Sequence, residues 1–179
     1  MFNAVFTAYD ETIKLLRQFT QSEFAPVIEV GLGPRTFLDL LLKDGFLNLT
    51  AIDISEHVLA LNKKRLATFG TLVQWMCADV LAAPLKQGYY ALWHDGGVFD
   101  KLMTDEQRQT YIGLMEACLR PGGYAVIYAG ASIETLAQKL HDSTLEIVEN
   151  NWDALNDFYT NLSQGNNDSV KKLHVVHKK

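Results

Sequence analysis

Val27-Ile28-Glu29-Val30-Gly31-Leu32-Gly33-Pro34-Arg35-Thr36, followed by Ala51-Ile52-Asp53-Ile54-Ser55, decides the fold of this 179-residue chain. An apolar run enters a glycine turn, a helical stretch follows, and a second apolar run ends in an acid about twenty residues on, which is the order a βα nucleotide-binding unit requires. Glycine permits the close backbone approach such a turn needs, the turn's amides point at the ligand, and the carboxylate of Asp53 can accept from two ribose hydroxyls. The expectation is a ribose-bearing cofactor held across residues 27–55.

The G-x-G turn does not by itself name the cofactor. A nicotinamide enzyme of the G-x-G-x-x-G type would carry its third glycine at position 36, where this chain has Thr36. Further on, Trp75-Met76-Cys77-Ala78-Asp79-Val80 brings a second acid to a strand end, and Leu119-Arg120-Pro121-Gly122-Gly123 ends a helix before another strand. On these residues the chain resembles the class I S-adenosylmethionine-dependent methyltransferases, from about Val27 to Gly130. A closer likeness lies in Tyr90-Ala91-Leu92-Trp93-His94-Asp95-Gly96-Gly97-Val98-Phe99-Asp100-Lys101-Leu102. It is similar to the W-H-D-R-A-V-F-H-F-L segment at the fourth strand of a branch of small methyltransferases whose kin include some protein-lysine methyltransferases. Gly96 stands where that segment has arginine and Asp100 where it has its second histidine, so substrate contacts made through those side chains do not carry over.

The resemblance implies S-adenosylmethionine as cofactor and assigns its holders by position. Glu29 orients the methionine end, or else is a buried acid bonding the turn's own amides. Gly31 and Gly33 bring backbone to the carboxypropyl group and sulfur. Arg35 either pairs with the cofactor's carboxylate or faces solvent. Asp53 takes the ribose hydroxyls, with a capping role competing because Ser55 follows. Asp79 accepts from the adenine amino group, Val80 offers its amide to the ring, and Ile54 and Leu81 are apolar walls or plain core. Trp93 and His94 end the fourth strand, where open α/β sheets place their ligand crevice, and their carbonyls accept from the cofactor's ammonium. His94 or Asp95 is the candidate catalytic base; the alternative is that these groups tie the loop together.

Methyl transfer from a sulfonium is an in-line displacement that asks mainly for alignment, so no large catalytic apparatus is expected. Candidate substrate walls are Tyr128, then Trp152, Phe158 and Tyr159, then Phe2, Phe6 and Tyr9. The function so read is methyl transfer to a small-molecule acceptor. Its alternatives are a protein (lysine) methyltransferase and a cofactor-binding module without turnover, the latter suggested by Arg35, Gly96 and Asp100.

Composition narrows the partners. Sixteen Lys and Arg against twenty-one Asp and Glu give a net charge of −5, with a pI near 5.5, which argues against the basic face of a nucleic-acid enzyme. Lys171, Lys172, Lys178 and Lys179 form a basic end read as solvated. Cys77 and Cys118 are expected as reduced core residues, and the five histidines show no metal-ligand spacing, so no metal is implied. With no apolar run near the roughly 20 residues a bilayer requires and no signal-peptide pattern at the start, the expectation is a soluble cytoplasmic protein with no membrane partner.

A single domain over 1–179 is expected, with 1–26 as a helical lid or edge segment and 151–170 as an insert before the last strand. Apolar runs predict strands at 27–30, 49–54, 73–77, 89–94, 124–129, 145–148 and 173–177. Helices are predicted at 10–19, at 37–44 ending at Gly45, after the cap Ser55 through Leu66 toward Gly70, after a Thr104-to-Gln107 capping box, and after Ser132. The fold class is α/β: a Rossmann-like, mostly parallel seven-stranded sheet with an antiparallel final strand and helices on both faces.

Overall fold

Alternation of buried side chains along each strand puts one apolar set on each face of a seven-stranded sheet. The computed structural model describes residues 14, 17–33, 37–129, 138, 140, 143–148 and 172–179. Arg35, Phe2, Phe6, Tyr9, the helix start at Ser132 and the 151–170 insert lie outside them, as does the side chain of Tyr128.

The strands are β1 (Val27–Val30), β2 (Leu49–Asp53), β3 (Val73–Cys77), β4 (Tyr90–Asp95), β5 (Leu119–Ala129), β6 (Leu145–Ile147) and β7 (Lys172–Lys178). Their order across the sheet is β3-β2-β1-β4-β5-β7-β6. β1 pairs in parallel with β2 and β4, and β4 with β5. β7 enters antiparallel between β5 and β6, so the expected antiparallel final strand is present and pairs on both edges. β1 is buried at all four residues, as a parallel strand covered on both faces must be.

Three α-helices lie wholly within the described residues: α1 (Phe37–Lys43), α2 (Glu56–Leu66) and α3 (Asp105–Cys118). α1 and α2 cover one face with Phe37, Leu38, Leu41 and Leu59, against Val27, Leu49, Ala51 and Leu92 from the strands. α3 covers the other, where Tyr111, Ile112 and Met115 meet Ile28, Trp93 and Ile127. Ser55 caps α2 by accepting from Val58 N. Thr104 and Gln107 form the full reciprocal capping box of α3.

Three local expectations are corrected. α3 stops at Cys118 rather than at Pro121, and the Pro-Gly-Gly forms a bulge within β5: the ladder passes from Tyr90↔Leu119 to Leu92↔Tyr124 with Gly122 at φ 73. α2 stops at Leu66 because Ala67 takes φ 39, and a short 3-10 stretch, Ala67–Leu72, carries the chain to β3. Cys77 is exposed rather than core, because β3 is an edge strand and Cys77 is its last residue; Cys118 is buried as expected.

Leu41 is fully buried beneath α1. Leu41→Ala is expected to cost about 2–5 kcal/mol of unfolding free energy in a urea titration, without changing the secondary-structure content of the folded state.

Candidate functional site

Strand order reverses direction between β1 and β4, and open α/β sheets leave a crevice beyond the carboxyl ends of strands at such a point. A cavity of about 200 Å³ lies there, lined by Val30, Gly31, Ile52, Asp53, Ile54, Ala78, Asp79, Val80, Val98 and Lys101. The ends of β1, β2 and β3 thus bring together five of the sequence-predicted cofactor residues: Gly31, Asp53, Ile54, Asp79 and Val80.

Each is placed by a local bond. Asp53 Oδ2 accepts from Leu32 N at 2.7 Å and Oδ1 from Ser55 N at 2.8 Å, so one carboxylate ties the glycine turn to the start of α2. Each of its oxygens has a second lone pair, which leaves acceptor capacity for a ligand. Asp79 Oδ1 accepts from Leu81 N at 3.0 Å and caps the short 3-10 turn Val80–Ala82. Ile54 is 75% exposed and lines the cavity, whereas Leu81 does not. Gly31 takes φ 78, a conformation that favours glycine. Its neighbour Gly33 lines a second hollow of about 430 Å³ with Leu32, Val58, Leu61, Asn62 and Arg65, and its carbonyl accepts from Asn62 Nδ2 at 3.2 Å.

Four other predicted residues stand behind the cavity. Glu29 is buried under α1, accepting from Phe37 N at 3.1 Å and Leu38 N at 2.8 Å. Burial raises its carboxyl to about 8 against the pull of those two amides. His94 Nδ1 is 3.9 Å from Glu29 Oε1, and its ring stacks on Phe37 at 4.0 Å between centroids. Burial lowers this imidazole to about 3, so it is neutral near pH 7. Trp93 points to the opposite face and donates from Nε1 to the Tyr111 hydroxyl at 3.1 Å.

Asp95 is fully buried. Its Oδ1 accepts from Gly97 N at 2.7 Å and Val98 N at 2.5 Å, its Oδ2 from Phe99 N at 2.9 Å, and Tyr111 donates to it as well. Burial holds it near 6 in spite of those donors. Neither candidate base lines the cavity: His94 faces α1, and Asp95 does the loop-tying work that was its alternative reading.

Sequence reasoning missed Val98 and Lys101. Val98 lies inside the W-H-D-x-x-V-F segment, so a signal for it existed; Lys101 has none, because its part in the cavity comes from the 3-10 turn Phe99–Lys101. Gly96, noted as a departure, has a local cause. A Cβ on it would lie 2.0 Å from Gly31 O, so no arginine fits this backbone.

A family model described as a methyltransferase domain matches residues 27–123, more than half of the chain. EEF1A lysine methyltransferase 2 of Danio rerio is 30% identical over an alignment of 112 residues, with 59% of this chain and 48% of that protein covered. The chain therefore spans about half the length of the curated relative it matches. Among solved structures, N-methyltransferase NodS from Bradyrhizobium japonicum WM9, in complex with S-adenosyl-L-homocysteine, superposes with a TM-score of 0.69 at 19% identity, covering 95% of this chain and 86% of that one. A TehB-like S-adenosylmethionine-dependent methyltransferase from Corynebacterium glutamicum gives 0.70 at 19% identity, with 96% and 88% covered. For 1,6-didemethyltoxoflavin-N1-methyltransferase from Burkholderia thailandensis, with 1,6-didemethyltoxoflavin and S-adenosylhomocysteine bound, the values are 0.69, 18%, 98% and 78%. At these identities the likeness is one of fold.

The buried pair makes a pH prediction. Glu29's folded value, about 8, lies above its ordinary 4.5, so its contribution to stability is full at low pH and is lost as pH rises toward 8. His94 has the opposite sense: its folded value, about 3, lies below 6.5, and stability is lost as pH falls through that interval. Between pH 6.5 and 8 only the Glu29 slope of this pair remains. Wild-type unfolding free energy from urea titrations should therefore decline across that window. Glu29→Gln should be less stable overall but lack that part of the slope, and an unchanged slope would remove Glu29 as its source.

Proposed function

The chain belongs to the methyltransferase domain family, and on that premise we propose that it uses S-adenosylmethionine to methylate a small-molecule acceptor. The observation that carries this reading is the convergence of Asp53, Asp79 and Gly31 from three strand ends on one cavity. The donor set fits an adenosine. Asp53 offers carboxylate oxygens to a pair of hydroxyls, Asp79 to an exocyclic amine, and Ile54 and Val98 give apolar flanks. Gly31 brings backbone to the cavity wall at a positive φ.

Bound S-adenosylmethionine supplies a methyl group already activated on a sulfonium. What the chain contributes is the anchoring of the nucleoside by Asp53 and Asp79 and the shape of the crevice beside β4. Because His94 and Asp95 are engaged inside the fold, the reading favours an acceptor that gives up its proton without a dedicated base, such as a thiol or an amine. One of the structurally similar proteins, 1,6-didemethyltoxoflavin-N1-methyltransferase, holds the small molecule 1,6-didemethyltoxoflavin beside S-adenosylhomocysteine, which supports a small acceptor here.

A second reading, methylation of a protein lysine, is favoured by the 30% identity to EEF1A lysine methyltransferase 2. The two part on one assay with methyl-labelled cofactor: label in a low-molecular-weight thiol or amine supports the first, label in a protein band the second.

Calorimetric titration with S-adenosylmethionine and S-adenosylhomocysteine tests the cofactor. Wild type should bind both. Asp53→Ala should bind at least about tenfold more weakly, since each hydrogen bond to a charged group contributes about 1.5–3 kcal/mol. Absence of binding by wild type would overturn the assignment.

A further inference from the structure

The carboxylate of Asp95 gathers three successive amides, those of Gly97, Val98 and Phe99, together with the Tyr111 hydroxyl. A run of amides turned on one point is an anion-binding nest, and here the anion that fills it is the protein's own. The outer side of the same turn meets the glycine turn. Gly96 N donates to Val30 O at 2.8 Å, and a Cβ on Gly96 would lie 2.0 Å from Gly31 O. Val98 Cγ2 sits 2.4 Å from the place a Cβ on Gly31 would take. Gly96 and Gly31 therefore pack backbone against backbone, and Val98 fills the space that Gly31 leaves. The 3-10 turn that follows brings Lys101 to the same cavity.

We propose that Asp95 is a positioning residue for the nucleoside cavity: by fixing the 96–99 turn it presses Val98 onto Gly31 and sets Val98 and Lys101 as the wall that completes the space lined by Asp53 and Asp79. The proposal rests on the S-adenosylmethionine reading for its ligand and on geometry alone for the coupling. An acid that merely capped a surface turn would affect stability and nothing else. This turn is part of the cavity, so displacing it moves Val98 and Lys101 together with the glycine backbone they adjoin.

The test uses Asp95→Asn, Val98→Ala and their double variant. Leu145→Ala, in the same core cluster but on the strand at the far edge of the sheet, is the control for lost stability. The readouts are the Kd for S-adenosylhomocysteine by calorimetry and residue-resolved amide exchange without ligand. Asp95→Asn should raise Kd about tenfold, Val98→Ala should raise it several-fold, and the double variant should be no worse than Asp95→Asn, because both act through one wall. Leu145→Ala should lower Tm and leave Kd unchanged. Without ligand, Asp95→Asn should speed exchange at Gly31 and Leu32, whose amides bond Ile52 O and Asp53, as well as at Gly97 to Phe99. A folded Asp95→Asn with wild-type Kd and wild-type exchange at Gly31 and Leu32 overturns the proposal, and so do losses that multiply in the double variant. If Asp95→Asn fails to fold, Val98→Ala decides, and an unaltered Kd overturns it. If wild type binds no S-adenosylhomocysteine, the cofactor reading fails and the exchange experiment alone decides the coupling.

Discussion

A strand of four residues, Val27–Val30, is hydrogen-bonded along both edges and covered on both faces, and the site follows from that enclosure. An acid in such a strand has no water to ionise into. Glu29 is tolerated because the amides of Phe37 and Leu38 in α1 meet it, and those bonds tie α1 to the middle of β1. At its open end the same strand leaves Gly31 at a positive φ, with Asp53 and Asp95 acting from either side: Asp53 holds the next amide, and Asp95 holds the turn that lies against it. Three acidic side chains therefore surround one short turn, and each accepts from backbone N–H groups.

This arrangement divides labour among the acids by exposure. Those that are wholly buried, Glu29 and Asp95, have their carboxyls pushed upward by desolvation and spend their acceptor capacity inside the fold. Asp53 and Asp79 lie at the cavity, where each is bonded to backbone amides yet keeps acceptor lone pairs over. A motif reading that treats all four as ligand contacts misses that difference, because burial depends on which side of the ladder a residue faces.

Much of the fold was legible because its signals are local. The apolar runs at β1 to β4, the cap at Ser55 and the Thr104-to-Gln107 box all reappear where their chemistry puts them. That Asp53, Asp79 and Gly31 would meet at one crevice was legible for the same reason, since a strand end places its residue by counting. The misses were non-local. Nothing near His94 in sequence reveals that Phe37, from another element, would cover its ring. The Pro121-Gly122-Gly123 stop was read as a helix end, although the helix had already stopped at Cys118 and the glycines absorb a register change against β4. Gly96 read as a loss from a family pattern, yet the carbonyl of Gly31 occupies the space that any side chain there would need.

The place of β7 between β5 and β6 has a consequence for the order of assembly during synthesis. The four strands whose ends shape the cavity, β1 to β4, come from a continuous stretch ending at Asp95, with every ladder among them closed by chain already made. β6 has no such partner when it is made. Its ladder is with β7, and so it waits for residues 172–178 before it can join the sheet. A ribosome therefore delivers the half that shapes the cavity as a unit that can close on short-range contacts, while the far edge is sealed only once β7 has followed β6.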